Sequence, residues 1–304
     1  MDRDSPYYRQ VQLLFGAIPY VATENCFALK GGTAINLFHL PMPRLSVDID
    51  LTYVPIEDRE TSLRNASEAL QRIADRMTGS SPGLDAKVVP STHDHYRAMV
   101  HGRDVQIKIE LSPVTRGVIH EPLEMEVHVE VQDEFGYAAM QVVQAPDLYG
   151  GKICAALDRQ HPRDLFDVKL LLDSDGFTRE VFEGFLVYLL SSRRPMAELL
   201  APDIKDTTDA YTNHFEGMTR NPITNEELVQ ACDRLVADIS AYMTDNDKDF
   251  LLSFKSGTPQ WDLMPLPVIE QLPAVQWKLM NIHRMSQKKH RKMLINLQSV
   301  LDGM

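Results

Sequence analysis

The stretch from Phe27 to Tyr53 constrains this chain more than any other part of it. A short apolar run, Phe27-Ala28-Leu29, stops abruptly at Lys30-Gly31-Gly32-Thr33. The segment AINLFHL follows, and Pro41 and Pro43 close it. This order predicts a strand, a diglycine turn and a helix with Thr33 as its N-cap. Beyond the prolines, Val47, Ile49, Leu51 and Tyr53 alternate with Asp48, Asp50 and Thr52. That alternation predicts a second strand with one face on the core and one face wet.

Each part has a physical reason. Two glycines open backbone conformations closed to other residues and leave no Cβ between the main chain and a ligand. Amides at a following helix start favour a phosphate. Asp48 and Asp50 lie two apart on a strand, so both carboxylates leave one face and repel unless a cation lies between them. Hard oxygen donors on a rigid strand, beside a phosphate cradle, suit Mg²⁺ (or Mn²⁺) and a nucleoside triphosphate. A lone Asp-x-Asp also marks the solvent face of an edge strand, and a lone Gly-Gly marks many turns. Their order and strand-turn-helix-strand context carry the signal.

The rest of the chain divides by pattern. Helices are expected over residues 7 to 22 and 56 to 77, the latter with Leu63, Ala66, Leu70, Ile73 and Met77 near helical spacing. AKVVP, YRAMVHG, DVQIKIELS, MEVHVEV and QVVQ read as short strands. From Ala145 the pattern becomes helical, in PDLYGGKICAALDR, RDLFDVKLLLDS and EVFEGFLVYLLSS, then around 225 to 243 and 274 to 301. The expectation is an α+β chain: a mixed α/β core over 1–145 and a helical domain over 146–304.

In the helical half, Lys152 lies near the start of an apolar helix, where a lysine can reach a triphosphate as a mobile point charge. Asp164 and Asp167 are three apart and share a helix face, with Arg163 before them. Ordinary salt bridges between two helices explain these residues equally well when they are taken alone. Glu110, in Val105-Gln-Ile-Lys-Ile-Glu-Leu, shares the polar face of its strand with Lys108 and Gln106, as a solvent-facing glutamate would.

Composition narrows the classes. Of 304 residues, 44% are hydrophobic and 24% charged, the balance of a globular protein. No apolar stretch reaches the roughly 20 residues that span a bilayer, and MDRDSPYYRQVQ is no secretory signal. Cys26, Cys154 and Cys232 are scattered, so free buried thiols and a cytoplasmic home are expected. A net charge of −12 argues against a generally basic nucleic-acid coat. Lys278 to Lys292 is the local exception, with six Lys or Arg residues and no acid. It reads as a solvated helix face, or as a surface for RNA phosphate or an acidic partner. His93-Asp94-His95, near His101, reads as a polar loop rather than a metal site. His161 reads as a cap rather than a base. Tyr188, Tyr211, Phe215 and Trp261 could stack on bases, but most helical aromatics are core.

Gly31-Gly32-Thr33, followed after a helix by Asp48-Ile49-Asp50, resembles the signature of polymerase-beta-type nucleotidyltransferases. The longer run KGGTAINLF…PRLSVDIDL is similar to the AbiEii/AbiGii toxin branch, which includes the MenT-like toxins. The resemblance covers about residues 25 to 173. It implies Mg²⁺-dependent transfer of NMP from an NTP, with Asp48, Asp50, Lys152 and Asp167 catalytic. It places Lys30, Gly31, Gly32, Thr33, Arg44, Ser46, Lys152 and Asp164 on the nucleotide, and Asp48, Asp50 and Glu110 on the metal. That branch more often has Asp at the Glu110 position. It further implies a toxin of a toxin-antitoxin or abortive phage-infection system, acting on an RNA acceptor such as a tRNA 3′ end and restrained by a separately encoded antitoxin. Nucleotidylation of a small molecule or of a protein side chain uses the same chemistry, and a non-catalytic nucleotide-binding module would keep only the fold.

Overall fold

A computed structural model describes residues 5–80, 83–89, 96–266 and 268–304. His93-Asp94-His95 lies outside the described residues. The chain forms two compact units: Met1–Gln144 with Phe215–Ile223, and Ala145–His214 with Thr224–Met304.

The first unit is built on a mixed seven-stranded sheet in the order β3-β4-β5-β2-β1-β7-β6. The strands are β1 (Phe27–Lys30), β2 (Asp48–Tyr53), β3 (Asp85–Val89), β4 (Tyr96–His101), β5 (Gln106–Leu111), β6 (Leu123–Glu126) and β7 (Ala139–Val142). β1 runs antiparallel to β2, and β2 parallel to β5. Register stacks apolar residues on one face: Leu29, Leu51 and Leu111 form one cross-strand row, and Ile49, Ile109 and Ala98 another. All six are at most 3% exposed, so this face is core. Helices α1 (Pro6–Val21) and α3 (Arg59–Ser80) pack on each other and on the sheet. α3 buries Leu63, Ala66, Leu70, Ile73 and Met77, the residues its spacing picks out.

Three local expectations need correction. Thr33 is no N-cap: helix α2 (Gly31–Thr33) already includes it in helical conformation and runs into a π-helical turn over Ala34–His39. There the Leu40 amide reaches back five residues to the Ile35 carbonyl, at 3.0 Å, before the chain extends into Pro41. MEVHVEV is half strand, half helix. β6 ends at Glu126, and α4 (Val129–Phe135) begins after His128, whose side chain accepts a bond from the Glu130 amide. β-branched residues favour a strand, but docking a helix buries Val131 and leaves Val129 in water. Finally, the outer face of β2 is wet only at Asp48 and Asp50, since Thr52 is buried and donates to the Thr115 carbonyl.

The second unit is helical: α5 (Ala145–Arg159), α6 (Pro162–Asp173), α7 (Arg179–Ser191), α8 (Met196–Leu200), α9 (Thr208–His214), α10 (Asn225–Tyr242), α11 (Asp245–Ser256), α12 (Pro273–His283) and α13 (Gln287–Asp302). α5 and α7 touch backbone to backbone: a Cβ on Gly150 would lie 2.5 Å from the Gly184 carbonyl carbon. The expected helix over 274 to 301 is really two, broken where Ser286 turns extended. α11 escapes the periodicity although Thr244 and Asp247 form a complete capping box at its start. Phe250, Phe254 and Trp261 cluster there. Phe215 is buried, as a core aromatic should be, whereas Tyr188, Tyr211 and Trp261 are partly exposed.

Candidate active site

The diglycine turn meets the wet end of β2 in the first unit. Gly31 has φ +73°, and a Cβ there would lie 2.5 Å from Asp50 Oδ2. Only glycine lets the turn close on that carboxylate. The next glycine is equally hemmed: a Cβ on Gly32 would lie 2.5 Å from an Arg44 guanidinium nitrogen and 3.0 Å from Ser46 Oγ. The turn is therefore hemmed by a carboxylate at one glycine and by a guanidinium and a hydroxyl at the other, with Gly32 buried and Gly31 part-exposed. Thr33 ties it down, its hydroxyl donating to the Asp48 carbonyl and lying 3.0 Å from Ser46 Oγ. Asn36 donates to the Gly32 carbonyl at 2.9 Å.

Arg44 and Ser46 are buried, at 2% and 7% exposure. Arg44 donates to the Leu45 carbonyl, and the loop carrying it pairs with the returning segment, where the Leu45 amide donates to the Met218 carbonyl at 2.9 Å. Lys30 opposes Asp50 across the β1–β2 ladder and donates to Thr115 Oγ1 at 3.3 Å.

Glu110 stands beside Asp50 in the β2–β5 register, and Lys108 beside Asp48. The Lys108 ammonium bridges the two acids, 3.7 Å from Asp48 Oδ2 and 3.1 Å from Glu110 Oε2. Burial disfavours its charge, but Asp48 and Glu110 outweigh that and hold its pKa above the ordinary lysine value. Among the described residues no group of three or more His, Cys, Asp or Glu side chains could hold a metal by itself. Mg²⁺ does not need one, since it is commonly bound by one or two carboxylates together with substrate phosphates and water. Asp48 is 26% exposed and projects from the same strand face as Asp50, so the donor set fits such an ion.

The second unit holds the other candidates. Lys152, on α5, lies 2.9 Å from both Asp164 Oδ1 and Asp167 Oδ2 on α6. All three are at most 7% exposed. Arg159, at the end of α5, closes on both oxygens of Asp164, its Nε donating to Oδ2 at 2.5 Å and its Nη2 to Oδ1 at 2.9 Å. Burial opposes the charge of Asp164, yet Lys152 and Arg159 prevail and hold its carboxyl well below the usual carboxylate range. Tyr149 borders the group; burial and the Asp167 charge push its phenol up to about 12. Arg159 is the residue that sequence reasoning does not single out. It follows Asp158 at a helix end, and only the α5–α6 turn brings it onto Asp164.

His161 does act as a cap. Its Nδ1 accepts from the Arg163 amide, and burial, then Arg163, lowers its pKa to about 4, so it is neutral at pH 7. The three cysteines are free; Cys232 is buried, whereas Cys26 and Cys154 are only partly so, and burial raises all three thiols. Among the described residues no helix is long and apolar enough to cross a membrane.

Residues 12–281 match the family model described as "Nucleotidyl transferase AbiEii toxin, Type IV TA system". Among solved structures, the fold is similar to MenT4, a nucleotidyltransferase toxin from Mycobacterium tuberculosis H37Rv, with a TM-score of 0.60 over 91% of this chain and 94% of that one. Identity over that alignment is 13%, so the likeness is one of fold. No curated protein sequence matches. With the family model spanning most of its length, the chain belongs to the AbiEii family of nucleotidyltransferase toxins of type IV toxin-antitoxin systems.

Proposed function

We propose that this nucleotidyltransferase transfers an NMP from an NTP to a hydroxyl of an RNA acceptor, the tRNA 3′ end being the leading candidate. The acceptor oxygen forms a bond to the α-phosphorus, the bond to the bridging oxygen breaks, pyrophosphate leaves, and the hydroxyl proton is released. The observation that carries this reading is the closure of Gly31 onto Asp50, which sets the diglycine turn directly against paired carboxylates on one rigid strand.

Asp48 and Asp50 are the residues that would hold Mg²⁺, with Glu110 as a helper at the flank. Mg²⁺ bound there supplies Lewis-acid charge for the triphosphate and makes the acceptor hydroxyl easier to deprotonate. The main chain of Gly31 and Gly32, with the Thr33 and Ser46 hydroxyls and the Lys30 and Arg44 cations, provides the phosphate-binding surface. Lys108 offsets part of the charge of Asp48 and Glu110 and so keeps like charges together on one face. In the second unit, Asp164 and Asp167 hold the Lys152 ammonium in place, an arrangement suited to a positioned phosphate-binding cation. Asp167 has no exposed surface and faces an ammonium, which favours positioning over proton abstraction for it.

The family implies an antitoxin partner. Action on tRNA in the cytoplasm, as a growth-arresting or phage-abortive toxin, follows from the same reading. The test is incubation with each α-labelled NTP and total RNA, followed by sequencing of RNA 3′ ends, for the wild type and Asp48→Asn. Label in RNA with the wild type alone supports the proposal. Label confined to protein or to an added aminoglycoside removes the RNA acceptor.

A further inference from the structure

Charge in the second unit is unevenly placed. The chain carries 43 acids against 31 Lys and Arg, yet no acid lies between Glu270 and Asp302. Lys278, the first cation of this stretch, is drawn inward. Its ammonium donates to the Ser192 and Arg194 carbonyls, and burial, then Lys255, lowers its pKa to about 8. The other five, Arg284, Lys288, Lys289, Arg291 and Lys292, are exposed. Among the described residues none of the five has an ion-pair partner, whereas Arg72, Arg76, Arg179, Arg194 and Arg234 all close on carboxylates.

A solvated stabilising face would not be built this way. Lys288 neighbours Arg291 and Lys292 one turn on, so like charges repel along the helix. Lys288 and Lys289 also occupy the first turn of α13, the end at which a helix favours anions. Gln287, Lys288, Arg291, Lys292 and Ile295 line a concavity of about 560 Å³. Ile295 is 60% exposed at its end. On α12, two turns before Arg284, Trp277 is 49% exposed, although large aromatics are usually covered.

We propose that the basic face of α13 is the RNA-docking surface of this toxin: Lys288, Arg291, Lys292 and their neighbours neutralise backbone phosphates, and the exposed indole of Trp277 on α12 stacks on an unpaired base. This rests on the reading that the acceptor is RNA. A cation row with an exposed indole suits a polyphosphate strand carrying flat bases.

The experiment is fluorescence anisotropy of end-labelled bulk tRNA with the full-length chain across a salt series. The wild type is compared with the triple variant Lys288→Gln/Arg291→Gln/Lys292→Gln and with Trp277→Ala. Removing three phosphate contacts should make the slope of log affinity against log salt shallower by about 2 to 3. Trp277→Ala should weaken binding by about 5- to 100-fold at every salt concentration and leave the slope unchanged. Thermal unfolding shows that the variants are folded: the triple variant, whose three side chains are exposed, should keep the wild-type midpoint, and Trp277→Ala, which loses a half-covered ring, should unfold well above the assay temperature. A triple variant with wild-type affinity and slope overturns the docking surface alone. Wild-type protein that neither binds tRNA nor labels it overturns the RNA reading and this inference together. A triple variant that keeps RNA binding but no longer binds the antitoxin overturns the inference in favour of a protein partner.

Discussion

At the residue scale the cradle depends on two missing Cβ atoms. Gly31→Ala must hold an L side chain at φ +73° and push Asp50 aside; the strain alone costs about 1–2 kcal/mol. A carboxylate displaced by about an ångström lowers turnover by roughly 100-fold. Incorporation of labelled NMP, with circular dichroism to show folding, checks this. Asp48→Asn keeps the shape and removes the charge, so transfer should fall by about 10³-fold or more. Glu110→Gln should lose only about 10- to 100-fold, as a flanking helper would; full activity of Asp48→Asn would refute the metal assignment. These residues are legible in the sequence because strand alternation and glycine act locally. Lys108 is readable as a neighbour of Glu110, but its bridge to Asp48 depends on the parallel β2–β5 register. Nothing local in the sequence specifies that pairing.

At the element scale the second unit turns on how closely α5 and α7 approach. A Cβ on Gly184 would strike the Pro146 backbone. Gly184→Ala should therefore destabilise by about 1–3 kcal/mol through overpacking, read as a lower unfolding midpoint. Lys152→Met tests the buried ion group. It takes the ammonium from Asp167 and from one side of Asp164, which should destabilise by about 3–5 kcal/mol at pH 7. In the wild type the Asp164 pKa is depressed. Its contribution is therefore present above the unfolded value near 3.9 and is lost only as pH falls through the lower folded value. The wild-type contribution is flat from pH 5 to 8. In Lys152→Met the carboxyls deprived of that ammonium titrate higher, so the deficit should shrink as pH is lowered toward 5. Unfolding midpoints across that range decide it, and a pH-independent deficit would contradict the pairing. Sequence periodicity finds α5, α6 and α7 because each has a long apolar stripe. It misses α11, whose Asp-rich first turn hides a capping box, and it runs α12 and α13 together because Arg284 to Ser286 includes neither Gly nor Pro.

At the scale of the molecule the chain passes between its units more than once. Phe215–Ile223 leaves the helical unit and belongs with the sheet unit, a return that a single boundary near 145 does not contain. Its backbone supports the loop that carries Arg44: Leu45 donates to Met218, Arg220 donates to Pro43, and Arg44 pairs with Thr219 as an isolated bridge. Phe215 and Met218 are buried, each at 2% exposure. A fragment ending at Gln144 keeps every strand and both principal helices yet loses this support beneath the phosphate-binding residues. Burying two such side chains is worth roughly 3–6 kcal/mol, a large share of the stability of an ordinary domain. The fragment 1–144 should therefore unfold well below a longer variant in which 215–223 is rejoined to Gln144 through a glycine-serine linker. NTP should raise the midpoint of the rejoined form more than that of the fragment, because only a held Arg44 meets the phosphates. Thermal unfolding of both, with and without NTP, measures this. Equal midpoints and equal NTP shifts would show that Arg44 is held by the sheet unit's first 144 residues alone.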